Sequence, residues 1–140
     1  AYKERYTGLD RFLQACVQEA EENGFVTTIL GRRRAIDDIR SRNRNLRQLG
    51  ERLAINTVIQ GSVADLIKVA MVQLMERLAK EHEEARLLIQ VHDELVLEAP
   101  KADAEAVLDT TVEVMTTALP LSVPLKVDAS LGVNWLEGKS

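Results

Sequence analysis

Two adjacent carboxylates, Asp93 and Glu94, follow His92 in the run Leu87-Leu88-Ile89-Gln90-Val91-His92-Asp93-Glu94-Leu95-Val96-Leu97-Glu98. Apolar residues flank the polar triplet on both sides, so the run reads as two β-strands joined by a tight reversal. Glycine or asparagine turns a hairpin most easily. Two acids beside a histidine are a less obvious choice, because carboxylates so close repel unless a cation or protons compensate. Magnesium is a natural compensator: it takes carboxylate oxygens and keeps its other positions for water and phosphate. Spacing alone more often means a plain solvated turn.

A second constellation is Arg52, Asn56 and Gln60, at i, i+4 and i+8. On a continuous helix all three project from one face, and all three can donate hydrogen bonds. Every base pair offers acceptors in the DNA minor groove, at purine N3 and pyrimidine O2. Such a row could hold a duplex without reading its sequence, although an exposed polar stripe has the same spacing. The stretch from Arg32 to Arg52 holds eight arginines and three acids, a net charge of +5 in a chain whose total is −4. None of these basic residues is lysine. Arginine's planar fork suits phosphate oxygens and base edges, while a solvated charged face is the plain alternative.

The elements that must carry these residues can be read from periodicity. Thr7 and Asp10 form a capping pair ahead of Leu9, Phe12, Leu13, Cys16, Val17 and Ala20 at helical spacing. Gly24 suits the end of that helix. Phe25 to Leu30 predicts a strand, with Arg33 to Ile36 as its partner. Ser41, Asn43 and Asn45 are turn or cap residues before a helix with Leu46, Leu49 and Leu53 on its inner face. Ser62 and Asp65 offer a fresh cap for a long buried helix marked by Val63, Leu66, Ile67, Ala70, Met71, Leu74 and Leu78. After the hairpin, Ala104 to Ala118 predicts a last amphipathic helix, stopped by Pro120, and Leu125 to Leu131 a final strand. Mixed rather than alternating order favours an α+β fold with an antiparallel sheet packed against several helices.

The bulk composition fits one soluble domain, or one domain plus a lobe. The chain has 140 residues, 46% hydrophobic and 29% charged. No run approaches the roughly 18 apolar residues of a membrane helix, and the first residues lack the apolar core of a signal peptide. The single cysteine, Cys16, suits a reducing cytoplasm. With no initiator methionine, the chain reads as a fragment or a processed product.

Several segments together resemble the C-terminal stretch of the family-A DNA polymerases, the bacterial DNA polymerase I type. They are Gly31-Arg32-Arg33-Arg34, Ser41-Arg42-Asn43-Arg44, Glu51-Arg52-Leu53-Ala54-Ile55-Asn56, Ile59-Gln60-Gly61-Ser62-Val63-Ala64-Asp65-Leu66-Ile67-Lys68, Gln90-Val91-His92-Asp93-Glu94-Leu95-Val96 and the ending Gly132-Val133-Asn134-Trp135. They run nearly end to end in the family's order.

The resemblance implies that residues 1–60 are late fingers and residues 61–140 palm, with the His-Asp-Glu run as the catalytic hairpin. It implies that Asp93 is one of two catalytic aspartates binding magnesium, that Glu94 assists beside it, and that His92 sits near the primer terminus. Arg52, Asn56, Gln60 and Gln90 would touch the minor groove, and Arg32, Arg33 and Arg34 would contact DNA. The chemistry implied is two-metal phosphoryl transfer with two Mg2+ ions, adding deoxynucleoside triphosphates to a primer on template DNA in the bacterial cytoplasm, at the nucleoid and with no membrane.

Val58, Ala35 and Asp37 depart from the family's usual proline, aromatic and proline, which concerns local backbone shape. The family's other metal-binding aspartate and its nucleotide-gripping fingers helix are not found in these residues. The 140 residues alone are therefore expected to be inactive, and an unpaired sheet edge beside the hairpin is expected to favour self-association. The competing readings are a non-catalytic duplex-DNA-binding module built on the arginines and a metal-dependent phosphohydrolase built on Asp93-Glu94.

Overall fold

The structure is a computed structural model that describes residues 7–122 and 125–134. It contains two compact units, which divide between Asp65 and Leu66.

The first unit begins with α1 (Thr7–Asn23). Gly24, at φ 80°, ends it by donating its N–H to the Ala20 carbonyl at 2.8 Å. Arg40 adds a second cap, its guanidinium donating to the carbonyls of Glu21 (2.7 Å) and Glu22 (3.0 Å). Cys16 and Ala20 are buried, whereas Leu9 and Phe12 of the expected apolar stripe are exposed. Burial and the neighbouring Glu19 push the Cys16 thiol up, which keeps it protonated.

Strands β1 (Phe25–Thr27) and β2 (Arg33–Ala35) pair antiparallel, with Val26 opposite Arg34. They are shorter than the sequence suggests, because the chain reverses over residues 28–32 and closes with the Thr28 N–H on the Arg32 carbonyl at 2.9 Å. A 3-10 turn (Asp37–Arg40) follows. The core of the unit is Ala20, Val26, Ile36, Ile39 and Ala54.

Helix α2 (Arg44–Glu81) is a single element of 38 residues. The Asn43 carboxamide oxygen caps it, accepting the Asn45 N–H at 2.9 Å, as the sequence suggests. Two expectations fail on this helix. The break before Ser62 does not occur, because the Ser62 and Asp65 side chains serve the β1–β2 turn and cap nothing. The Ser62 hydroxyl accepts the Ile29 N–H at 2.9 Å, and the Asp65 carboxylate accepts hydrogen bonds from Thr28 and Arg32.

The inner face is also not the leucine stripe. Leu46, Leu49 and Leu53 are exposed, while Gly50, Ala54 and Thr57 are buried. The reason is close approach. A Cβ at Gly50 would lie 3.0 Å from the Ile39 backbone nitrogen, and one at Gly61 would lie 2.6 Å from Thr28 Cγ2. Only small residues let the turn and the hairpin reach the helix backbone.

This contact gives a direct expectation. Gly61→Ala gains helix propensity of about 1 kcal/mol. However, the new methyl meets a β-branched side chain that Asp65 holds in place, and overpacking costs about 1–3 kcal/mol. A net loss is expected, seen as a lower urea midpoint for the 140-residue chain. An unchanged or higher midpoint would mean that Thr28 yields.

The second unit contains the rest of α2, the hairpin β3 (Arg86–Val91) and β4 (Glu94–Glu98), a 3-10 turn (Lys101–Asp103) and α3 (Ala104–Thr117). Its core is Ala70, Leu74, Leu78, Ala85, Val107, Val114 and Ala118, with Leu95 and Leu97 of β4 packed against it. Arg77 of α2 bridges Glu81 at 3.1 Å and Glu113 of α3 at 3.2 Å. The fold is α+β, with two separate two-stranded antiparallel ribbons among the described residues.

The final strand is another correction. Leu125 and Val127 are half-buried while Lys126 and Asp128 are exposed, the period of two expected of a strand. Yet no ladder forms, because no described segment pairs with residues 125–131. Trp135 lies outside the described residues.

The membrane reading also needs amending. One 18-residue window of α2 reaches a mean hydropathy of 1.4, long and apolar enough by length and composition alone to span a bilayer. Its apolar residues instead contribute Ala54 to one core and Ala70, Leu74 and Leu78 to the other, and the helix carries the ion-paired Asp65.

Candidate active site

In the second unit, Val91 pairs with Glu94, so the reversal contains only His92 and Asp93. His92 adopts φ 54° and is the one non-glycine residue at positive φ among the described residues. Histidine visits this region more readily than most side chains, at a cost of about 1–2 kcal/mol. The Gln90 side-chain amide nitrogen donates to the His92 carbonyl across the turn. A bulge lies at Leu88, between the pairs Leu87–Leu97 and Ile89–Val96. Because Leu95 and Leu97 pack into the core, β4 anchors the ribbon.

The apex is therefore fixed while His92, Asp93 and Glu94 all stay exposed. Among the described residues no three histidine, cysteine or acidic side chains gather as a metal cluster. Two solvent-facing carboxylates suit magnesium nonetheless, since that ion commonly takes one or two carboxylates and fills its other positions with water and substrate phosphates.

The first unit carries the other predicted residues. Arg52, Asn56 and Gln60 are all exposed on α2, at the spacing that puts them on one face. Arg52 and Glu51 line an open groove with Gln14, Gln18 and Glu21 of α1. Arg33 and Arg34 lie on the exposed strand β2, and the Arg33 guanidinium sits 4.6 Å from the centre of the Phe25 ring.

Arg32 is arranged differently. Its Nε pairs with Asp65, and its Nη2 donates to the Gly61 carbonyl at 3.2 Å. That ties the turn to α2, whereas Arg33 and Arg34 beside it are exposed on β2.

Asp65 is the residue the sequence reading missed. It is 2% exposed. Burial pushes its carboxyl up, but the Thr28 hydroxyl, the Arg32 guanidinium and the Leu30 N–H outweigh this and hold it below the usual carboxylate range. A signal was available: an acid on the same stripe as Ala54, Thr57 and Gly61, the buried face, requires a cationic partner, and the arginine run supplies one.

Comparisons with known proteins place the chain in a family. The family model described as DNA polymerase family A matches residues 1–137. DNA polymerase I of Bacillus caldotenax is 52% identical over 138 residues, 99% of this chain and 16% of that protein. DNA polymerase I of Bacillus subtilis is 48% identical over the same share. The chain thus spans about one sixth of the length of these curated relatives. Among solved structures, the polymerase domain of Pol1 from M. smegmatis, in complex with DNA primer-template and dNTP, matches with a TM-score of 0.92 and 37% identity, over 99% of this chain and 24% of that one. The chain belongs to DNA polymerase family A.

Proposed function

We propose that this chain is the part of a DNA-directed DNA polymerase that supplies one carboxylate pair of its magnesium site and a row of contacts to the duplex. The observation that carries this reading is the apex: exposed Asp93 on a two-residue turn with exposed Glu94 next to it at the start of β4, which anchors the ribbon. Membership of the polymerase family supports it. In this reading residues 1–60 are late fingers and residues 61–140 palm, a boundary that lies within α2 a few residues before the division between the two units.

Asp93 and Glu94 hold the cation. Magnesium bound there supplies charge neutralisation for the triphosphate and acidity for the primer 3′-hydroxyl. His92 lies beside the primer end. Arg52, Asn56 and Gln60 donate to minor-groove acceptors, which fixes the duplex without selecting its sequence. Arg33 and Arg34 meet phosphates, and Arg32 acts through the lock that presents them. With DNA and deoxynucleoside triphosphates as substrates, the place of work in a bacterial cell is the cytoplasm, at the nucleoid. The open edges of the β3–β4 ribbon are where a second copy would pair.

The test is primer extension by a longer polypeptide carrying these residues, with and without Asp93→Asn. The 140-residue chain alone is expected to show negligible extension, because a bridged two-metal site needs a further aspartate. Robust magnesium-dependent synthesis by the purified chain would overturn that expectation.

A further inference from the structure

The His92–Asp93 turn combines two observations that the proposed function does not need. His92 occupies a left-handed conformation usually filled by glycine, asparagine or aspartate. Gln90, two residues earlier, donates its side-chain amide to the His92 carbonyl. That carbonyl belongs to the peptide joining His92 to Asp93, so the hydrogen bond sets the plane from which the Asp93 side chain departs. The bulge at Leu88 changes the pairing of β3 two residues before Gln90. A bulge re-aims the side chains next to it.

We infer that Gln90 is a positioning residue: its amide clamps the His92 carbonyl, holds the strained turn closed and aims the Asp93 carboxylate. This deepens the proposed function and rests on its assignment of Asp93. It adds to the role that the family resemblance implies for Gln90. The clamp engages one of the two N–H groups of the Gln90 amide, and a minor-groove acceptor needs only the other. The clamp is local, spanning three residues of one ribbon, and is present before DNA arrives.

The experiment uses a longer polymerase polypeptide carrying this chain, as wild type, Gln90→Ala, Gln90→Met and Asp93→Asn. Methionine keeps the length of the side chain and removes the donor. Three quantities are read: amide exchange over residues 86–98 by mass spectrometry without DNA, primer-template Kd, and single-turnover extension rate against magnesium concentration.

Both Gln90 variants are expected to speed exchange at the apex about fivefold to tenfold, as loss of one net hydrogen bond implies. They should also lower the extension rate about tenfold and raise the magnesium concentration needed, with Kd within about twofold of wild type. Unchanged exchange at the apex overturns the clamp, whatever the rate does. Weakened Kd with unchanged magnesium dependence also overturns it and makes Gln90 a groove contact. Full activity in Asp93→Asn defeats the underlying assignment instead, and the exchange data then still judge the clamp by itself.

Discussion

Asp93→Asn, made in a polymerase polypeptide that carries this chain, is expected to slow nucleotide addition by about 10²–10³-fold or more. The substitution is nearly isosteric and lies in an exposed turn that packs against no core residue, so neither folding nor the hairpin register should change. What disappears is one negative charge and one hard oxygen ligand. Asparagine offers a neutral carbonyl oxygen, a weak exchange for carboxylate at a small divalent cation. If the carboxylate acts chiefly as charge develops at the reacting phosphate, the loss falls on the rate and spares DNA affinity. Single-turnover extension at saturating primer-template separates the two, because Kd should stay within about twofold while the rate collapses. A rate within a few-fold of wild type would remove the catalytic reading of the apex. Equal losses in rate and affinity would turn the apex into a binding site.

The second large effect concerns stability. Asp65→Ala removes the acceptor for Thr28 and Arg32 and for the Leu30 N–H, which lies 3.4 Å away. Breaking a buried pair by removing one partner costs about 3–5 kcal/mol. The Arg32 side chain is 51% exposed and can turn to water, so a loss of about 2–3 kcal/mol is expected. Asp65→Asn keeps the shape and an acceptor oxygen and should cost less, about 1–2 kcal/mol. Urea unfolding of the 140-residue chain reads both, and an Asp65→Asn variant as stable as wild type would mean that the charge is irrelevant.

The depressed Asp65 carboxyl also fixes a pH dependence. Its folded-state value lies below the unfolded one. Its contribution to stability is therefore complete above the ordinary aspartate value, about 3.9. It is lost as pH falls further, through the depressed folded value. The wild-type advantage over Asp65→Asn should be constant near neutrality and shrink below about pH 4. An advantage that grows in acid would contradict the assignment.

Residues that fold by local rules were legible in the sequence. The β3–β4 ribbon follows from two apolar runs around a short polar turn, the α2 cap from Asn43, the end of α1 from Gly24, and the burial of Val107, Thr111 and Val114 from helical spacing. Features decided by distant partners were not. Ser62 and Asp65 have the spacing of a cap, and only the β1–β2 turn, more than thirty residues away in sequence, makes them a lock. Leu46, Leu49 and Leu53 have the spacing of a core stripe. Small residues occupy the packed face because other backbone segments must come within van der Waals contact there. Residues 125–131 have strand alternation, but a ladder requires a second strand.

The candidate site followed the same division. Asp93 and Glu94 stand out in the sequence because paired charge at a turn is unusual on its face. Gln90's hydrogen bond to His92 depends on one backbone angle that composition does not encode.

Helix α2 runs unbroken across the point where the two units divide. Anyone building chimeras from related enzymes would look for a loop at which to join the halves, and here the natural seam offers none. A crossover at residue 65 would have to keep helical phase and match the lock residues of one parent to each other. The permissive junctions are the segment at residues 41–43, before Arg44, and the turn at residues 82–85, after Glu81. Recombination within this family should therefore favour swaps of the whole helix over swaps of either half.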